Sequence, residues 1–133
     1  MTLGKYLLKV LTQDAGVAAR VKARVYSEVL PDEGEMPAVV FDLVSEDEDE
    51  ALDGPTGVRR ASVTVDCWAE KRVDATALGK VVKDLLSGHA GAAAGLEVQS
   101  FFFVTQAWDF DAETKLFRSS QDYEVWYSGD EAE

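Results

Sequence analysis

Five carboxylates occupy consecutive positions, Glu46, Asp47, Glu48, Asp49 and Glu50, in the stretch SEDEDEALDGPTGVRR (45–60), ahead of a glycine-proline turn and the pair Arg59 and Arg60. A hard cation needs several carboxylate oxygens converging on one point, and this run supplies the charge. It lacks the alternating spacing and central glycine of a calcium loop, and on an extended backbone neighbouring carboxylates point to opposite faces. A metal-dependent hydrolase or nuclease built on residues 46–50 is the catalytic reading these residues permit. A solvated, self-repelling loop or strand extension near Gly54 is the reading they favour, with Arg59 and Arg60 able to pair with acids on a neighbour.

Other chemistry-bearing residues are sparse. His89 is the single histidine, set in the small-residue stretch GHAGAAAG, and no nucleophile elbow accompanies it, so an exposed loop histidine is expected. Cys67 is the single cysteine, which excludes an internal disulfide and a thiolate zinc site within one chain, and its strand pattern points it into a core. GPTG has no lysine and does not make a phosphate-cradling loop. No catalytic residue, metal site or cofactor is assigned.

A net charge of -12 repels phosphate backbones and anionic membranes, and the thirteen Lys and Arg residues read as spread along the chain, densest at Arg59-Arg60 and Lys71-Arg72. Groove-reading of nucleic acid is therefore not expected. A DNA-mimicking inhibitor would need acids spaced regularly over a surface, and these are clustered. Lys5 and Lys9 interrupt any signal-peptide core, and no stretch approaches the ~20 apolar residues of a membrane helix. A soluble protein folded inside the cell is the expectation.

The elements that must position these groups follow from periodicity. Leu3, Leu7, Val10 and Leu11 recur at helical spacing, and Asp14 can cap a short second helix through AGVAARV. ARVYSEVL reads as a short strand, 31–37 as a loop, and 38–44 and 59–70 as paired strands flanking the acidic run. Ala61, Val63, Val65 and Cys67 alternate onto one face, with Ser62, Thr64, Asp66 and Trp68 on the other. A helix capped by Asp74 lines one face with Leu78, Val81, Val82, Leu85 and Leu86, and 88–95 reads as a mobile connector. The remainder forms a long hairpin around DAET, its last strand placing Tyr123, Val125 and Tyr127 on one face and Trp126 on the other. The sum is one α+β domain over 1–133, with 129–133 frayed: an antiparallel sheet of about four to five strands carrying two main helices.

Trp68 and Trp126 fall on otherwise polar strand faces. By strict alternation Phe101 and Phe103 lie opposite Val98, Phe102 and Val104, leaving that strand apolar on both sides. Either the chain's own helices or a neighbouring subunit must cover the second side, and Trp68, Trp126, Phe101, Phe103, Arg59 and Arg60 are the candidate interface residues.

LDGPTG (52–57), a strand ending VDCWA (65–69), a helix and a closing YEVWYS (123–128) resemble the tail completion, or tail terminator, proteins of long-tailed bacteriophages, also found in prophages and gene transfer agents. MPAVVFDLV after an opening helix fits the same order, so the resemblance covers nearly the whole chain. It implies a structural virion protein without enzymatic activity, assembled in the host cytoplasm. Such a protein forms a hexameric ring on the head-proximal end of the tail tube, stops tube growth and joins the tail to the head connector. Implied partners are further copies of itself, the tail tube protein and the head-tail connector protein. DNA would cross the ring without specific binding, repelled by a negative wall if residues 46–50 line the channel. The long acidic run and GHAGAAAG depart from the family pattern.

Overall fold

A computed structural model describes residues 3–31, 34–51, 54–93 and 95–129. The amphipathic opening forms α1 (Leu3–Gln13), which buries Leu3, Tyr6, Leu7 and Leu11. Asp14 ends it and starts α2 (Ala15–Val21), where its carboxylate accepts a 3.0 Å hydrogen bond from the Val17 N–H. Three residues, Val25–Ser27, form β1, and the chain returns through the 28–37 segment to β2 (Ala38–Ala51). β3 (Gly54–Ala69), α3 (Arg72–Leu86), β4 (Gly91–Ala93), β5 (Leu96–Asp111) and β6 (Leu116–Gly129) complete the order.

The six strands lie in the order β1-β2-β3-β6-β5-β4. The α+β class holds, with two differences from the sequence expectation. The sheet is mixed, because β1 pairs parallel with β2 through Val25 opposite Val39. It also has six strands where four to five were expected, because the short β4 joins it, while α2 is the short second helix expected after Asp14. Every other pairing is antiparallel.

All three helices cover one face of the sheet. Leu3, Leu7, Val17, Leu78, Val82 and Leu86 pack into one cluster with Val39, Phe41, Val63, Val65, Tyr123 and Val125. Each fully buried Leu or Val there stabilises the fold by about 1.5–3 kcal/mol. Helix α3 crosses β6 so closely that a Cβ at Gly79 would stand 2.6 Å from Ser119 Oγ, so only glycine fits without a shift. The Gly79 carbonyl accepts a 2.6 Å bond from the Gln121 amide, which also donates to Gln106, while the Tyr123 hydroxyl donates to Gln121 Oε1 at 2.6 Å. A buried glutamine is thereby satisfied at the point of closest helix-sheet approach.

Two local expectations change, and one open alternative is decided. α3 begins at Arg72 with Lys71 as its N-cap, and Asp74 sits in the first turn, where its charge favours the helix N-terminus. The connector after α3 contains β4, which pairs with β5 through Gly91 opposite Val98, so backbone hydrogen bonds hold a stretch that composition alone marks as mobile. The acidic run continues β2 as strand, with Glu48 opposite Arg59 and Asp47 opposite Arg60. Cross-strand charge pairing offsets the poor strand propensity of consecutive acids.

Candidate functional site

The face of the sheet turned away from the helices carries the candidate site. β5 determines which aromatics reach it. Val98 lies opposite Tyr127 and Ser100 opposite Trp126, so Gln99 is an extra, bulged residue, and a second shift follows Phe103. The bulge resets the alternation, bringing Val98, Phe101 and Phe103 to the helix side, opposite Tyr127, Val125 and Tyr123, and Phe102 to the open side, opposite Glu124. Strict alternation had Val98 and Phe102 sharing a face; the structure corrects this.

Two expected interface residues leave the surface set for the same reason. Phe101 is fully buried, its ring edge-on to His89 and Tyr123. Phe103 is half-buried against Tyr123, with the Lys83 ammonium 4.2 Å above its ring. Phe102, which alternation concealed, is 53% exposed.

Trp126 and Phe102 wall a shallow groove of about 560 Å³, completed by Val58, Gln99, Ser100 and Glu124. The indole N–H of Trp126 donates to Glu124 Oε1 at 2.9 Å, which leaves the ring's apolar body facing the groove. The Arg60 guanidinium stands 5.5 Å from the Trp126 ring centre and pairs with Asp47 at 3.4 Å. Trp68 lies on the same face near the other end, under the Arg118 guanidinium at 5.5 Å. Arg118 grips both carboxylate oxygens of Asp109 and lies 3.6 Å from Asp66. Burial raises the Asp66 carboxyl above its ordinary value, against the lowering by Ser120 and Arg118. Among the described residues no helix lies on the face that carries the two tryptophans.

Arg59 points the other way. Its guanidinium lies 6.0 Å from the Tyr127 ring centre and donates to the Gly129 carbonyl at 3.3 Å. Within the acidic run the strand's pleat divides the side chains: Glu46 is on the helix side and accepts a hydrogen bond from the buried Tyr127 hydroxyl, while Asp47 meets Arg60 on the open side and Glu48 is exposed. The side chains of Asp49 and Glu50 lie outside the described residues. Glu46 and Asp47 thus point apart, and among the described residues no group of three or more His, Cys, Asp and Glu side chains is placed to hold a metal ion.

The nucleophile and base candidates are likewise engaged. The Tyr6 hydroxyl and His89 Nε2 are hydrogen-bonded at 2.8 Å, and the His89 backbone pairs with Phe101, so this histidine ties α1 to the sheet and is half-buried, not a free loop residue. Burial lowers its pKa. Cys67 is fully buried, and burial pushes its thiol far up, out of the range where a thiolate forms.

Folding also sorts charge in a way the linear sequence disguises. Segments 3–24 and 71–86, which form the helical layer, hold nine of the thirteen Lys and Arg residues and three of the twenty-five Asp and Glu residues. Their net charge is +6, against -18 for the rest of the chain. The cations are segregated onto one layer, not spread.

The comparisons with known proteins agree with one another. A search of curated protein sequences returned no match. A chain in the solved virion of a native gene transfer agent (GTA) particle superposes with a TM-score of 0.69 at 21% identity, covering 91% of this chain and 90% of that one, which shows a shared fold. No helix among the described residues is long and apolar enough to cross a membrane. The family model described as tail completion protein gp17 matches residues 5–128, nearly the full length of helices and sheet set out above, and the chain belongs to that family.

Proposed function

We propose that this protein is a ring-forming tail terminator of a phage or phage-like particle. Copies of the chain, six by analogy with the family resemblance, close on the head-proximal end of the tail tube, stop its growth and present a docking face to the head connector. The role is structural, without catalysis or cofactor, and DNA passes through an overall negative ring without specific contacts.

The observation that carries this reading within a tail completion family is the sheet face that no described helix covers, with Trp126, Phe102 and Val58 around a groove. Two different patches of one subunit must meet for a ring to close, and an apolar groove on one face of an asymmetric layer supplies one of them. Of the residues expected at the interface, Trp126, Trp68 and Arg60 remain on this open face.

Light scattering of the purified chain, alone and with tail-tube protein, tests the reading. A ring-sized species or saturable capping of tube ends is expected; a chain that stays monomeric and ignores tube ends overturns it. Trp126→Ala should weaken assembly on the order of tenfold to a hundredfold while leaving the melting transition nearly in place.

A further inference from the structure

The charge division between the two layers has a use that follows from, and rests on, the ring reading. We infer that neighbouring subunits meet head to tail, the basic helical layer of one copy docking on the acidic open face and β2–β3 arm of the next.

Three observations converge on a second copy as the occupant. First, the surfaces differ in sign: the helical segments carry a net +6, whereas Asp42, Asp47 and Glu48, exposed along β2, are all acidic. A uniformly negative chain would resist self-association, whereas this division makes one orientation attractive and the like-to-like orientations repulsive. Second, the acidic side is built to receive a partner. Asp42, Asp47 and Glu48 are exposed on or beside the same strands that wall the Trp126–Phe102 groove, and Arg60 links the two by stacking on Trp126 while pairing with Asp47. Third, the basic side has its own apolar seat. Leu8, 40% exposed on α1, borders a groove of about 310 Å³ with Gly4, Val25, Phe41 and Leu43, beside the exposed Lys5 and Lys9. Each surface thus presents apolar atoms beside charged side chains, mainly basic along the helices although Glu28 also borders the Leu8 groove, the anatomy of an interface core and rim.

The two patches lie on opposite faces of the molecule, so the contact is heterologous and propagates until the rotation closes. Charge sets its direction and the grooves supply the buried area. The exposed Asp47 and Glu48 carboxylates then face a neighbour's cations instead of the DNA channel.

The test is a charge exchange on the full chain. One variant reverses the helical side (Lys9→Glu, Arg20→Glu, Arg72→Glu), a second reverses the acidic side (Asp42→Lys, Glu48→Lys), and a third combines both; all five positions are exposed. Assembly of wild type should weaken as salt rises from 50 to 500 mM, by roughly tenfold or more. Each single-sided variant should lose about a hundredfold, and the combined variant should recover at least about tenfold of that loss. Circular dichroism melting shows whether each variant folds, and mixing the two single-sided variants, whose altered surfaces attract, gives a second readout of recovery. Wild-type rings that tolerate salt and both reversals overturn the inference while leaving the ring reading standing. A wild type that never self-associates, alone or on tube ends, overturns both. Salt-sensitive binding of a short DNA duplex, lost only in the helical-side variant while self-association is kept, would make nucleic acid the partner of the helical layer and overturn the inference as well.

Discussion

The two long hairpins end at opposite ends of the sheet and are finished in opposite ways. The β2–β3 arm is acidic: Glu46, Asp47 and Glu48 run along it, countered by Arg59 and Arg60 across the ladder. The β5–β6 arm is aromatic: Trp108 and Phe110 are 43% and 51% exposed, and Phe110 stacks on Phe117 with ring centres 4.8 Å apart. Each has a polar anchor to the body. In the acidic arm the anchor is the hydrogen bond from buried Tyr127 to Glu46; in the aromatic arm it is Arg118, held by Asp109 and Asp66 over the Trp68 ring. Exposed aromatics with no local cover mark a surface made for contact, whereas exposed like charges mark one that is selective about contact.

The anchors should differ in strength. Arg118→Ala leaves Asp66, whose side chain is 18% exposed, without its cation and uncovers Trp68, and we expect a loss of about 2 kcal/mol in urea unfolding; a loss below about 0.5 kcal/mol would break the comparison at its aromatic end. Tyr127→Phe keeps the ring in the core but removes the hydroxyl from Glu46, for an expected cost of about 1–1.5 kcal/mol by the same measurement. The pH profile separates the two arms further. Because the folded-state pKa of Asp66 is raised, the folded chain holds that proton more tightly than the unfolded chain. Its contribution to stability is therefore greatest below the ordinary value of 3.8 and is lost as pH rises toward the raised value. Asp66→Asn should flatten that stretch of the stability-pH curve, read by thermal melts at several pH values above 4, and a curve identical to wild type would remove Asp66 from the account. Smallest in stability is Phe110→Ser, expected to change unfolding by less than about 1 kcal/mol yet to lower binding of a hydrophobic dye measurably, since its ring already stands half in water.

Much of this architecture was legible in residue order. The spacing of Leu3, Leu7 and Leu11, the Asp14 cap and the alternation of Ala61, Val63, Val65 and Cys67 are local signals, and local physics decides them. The site was legible in part. Trp68 and Trp126 lie on the open face as their strand phase requires, but one bulged residue, Gln99, exchanged the roles of Phe101 and Phe102. A bulge is set by pairing with β6 and leaves no mark in the alternation itself. The Tyr6–His89 bond joins residues 83 apart, and the basic layer gathers two segments separated by almost fifty positions; neither exists until the chain folds. Residue order left the run 46–50 open between loop and strand extension because acids disfavour strands, and the pairing with Arg59 and Arg60 across the ladder decides for the extension of β2.

The brevity of β1 has a further consequence. It pairs only with Val39–Phe41, so among the described residues the outer rail of β2 beyond Phe41 presents backbone donors and acceptors to solvent, a template on which stray strands could zip. A bulge at Val44 and the carboxylates that follow put a kink and a wall of like charge along that rail. Two such edges repel each other before their amides can meet, so the acidic stretch opposes amyloid-like stacking of one copy on another.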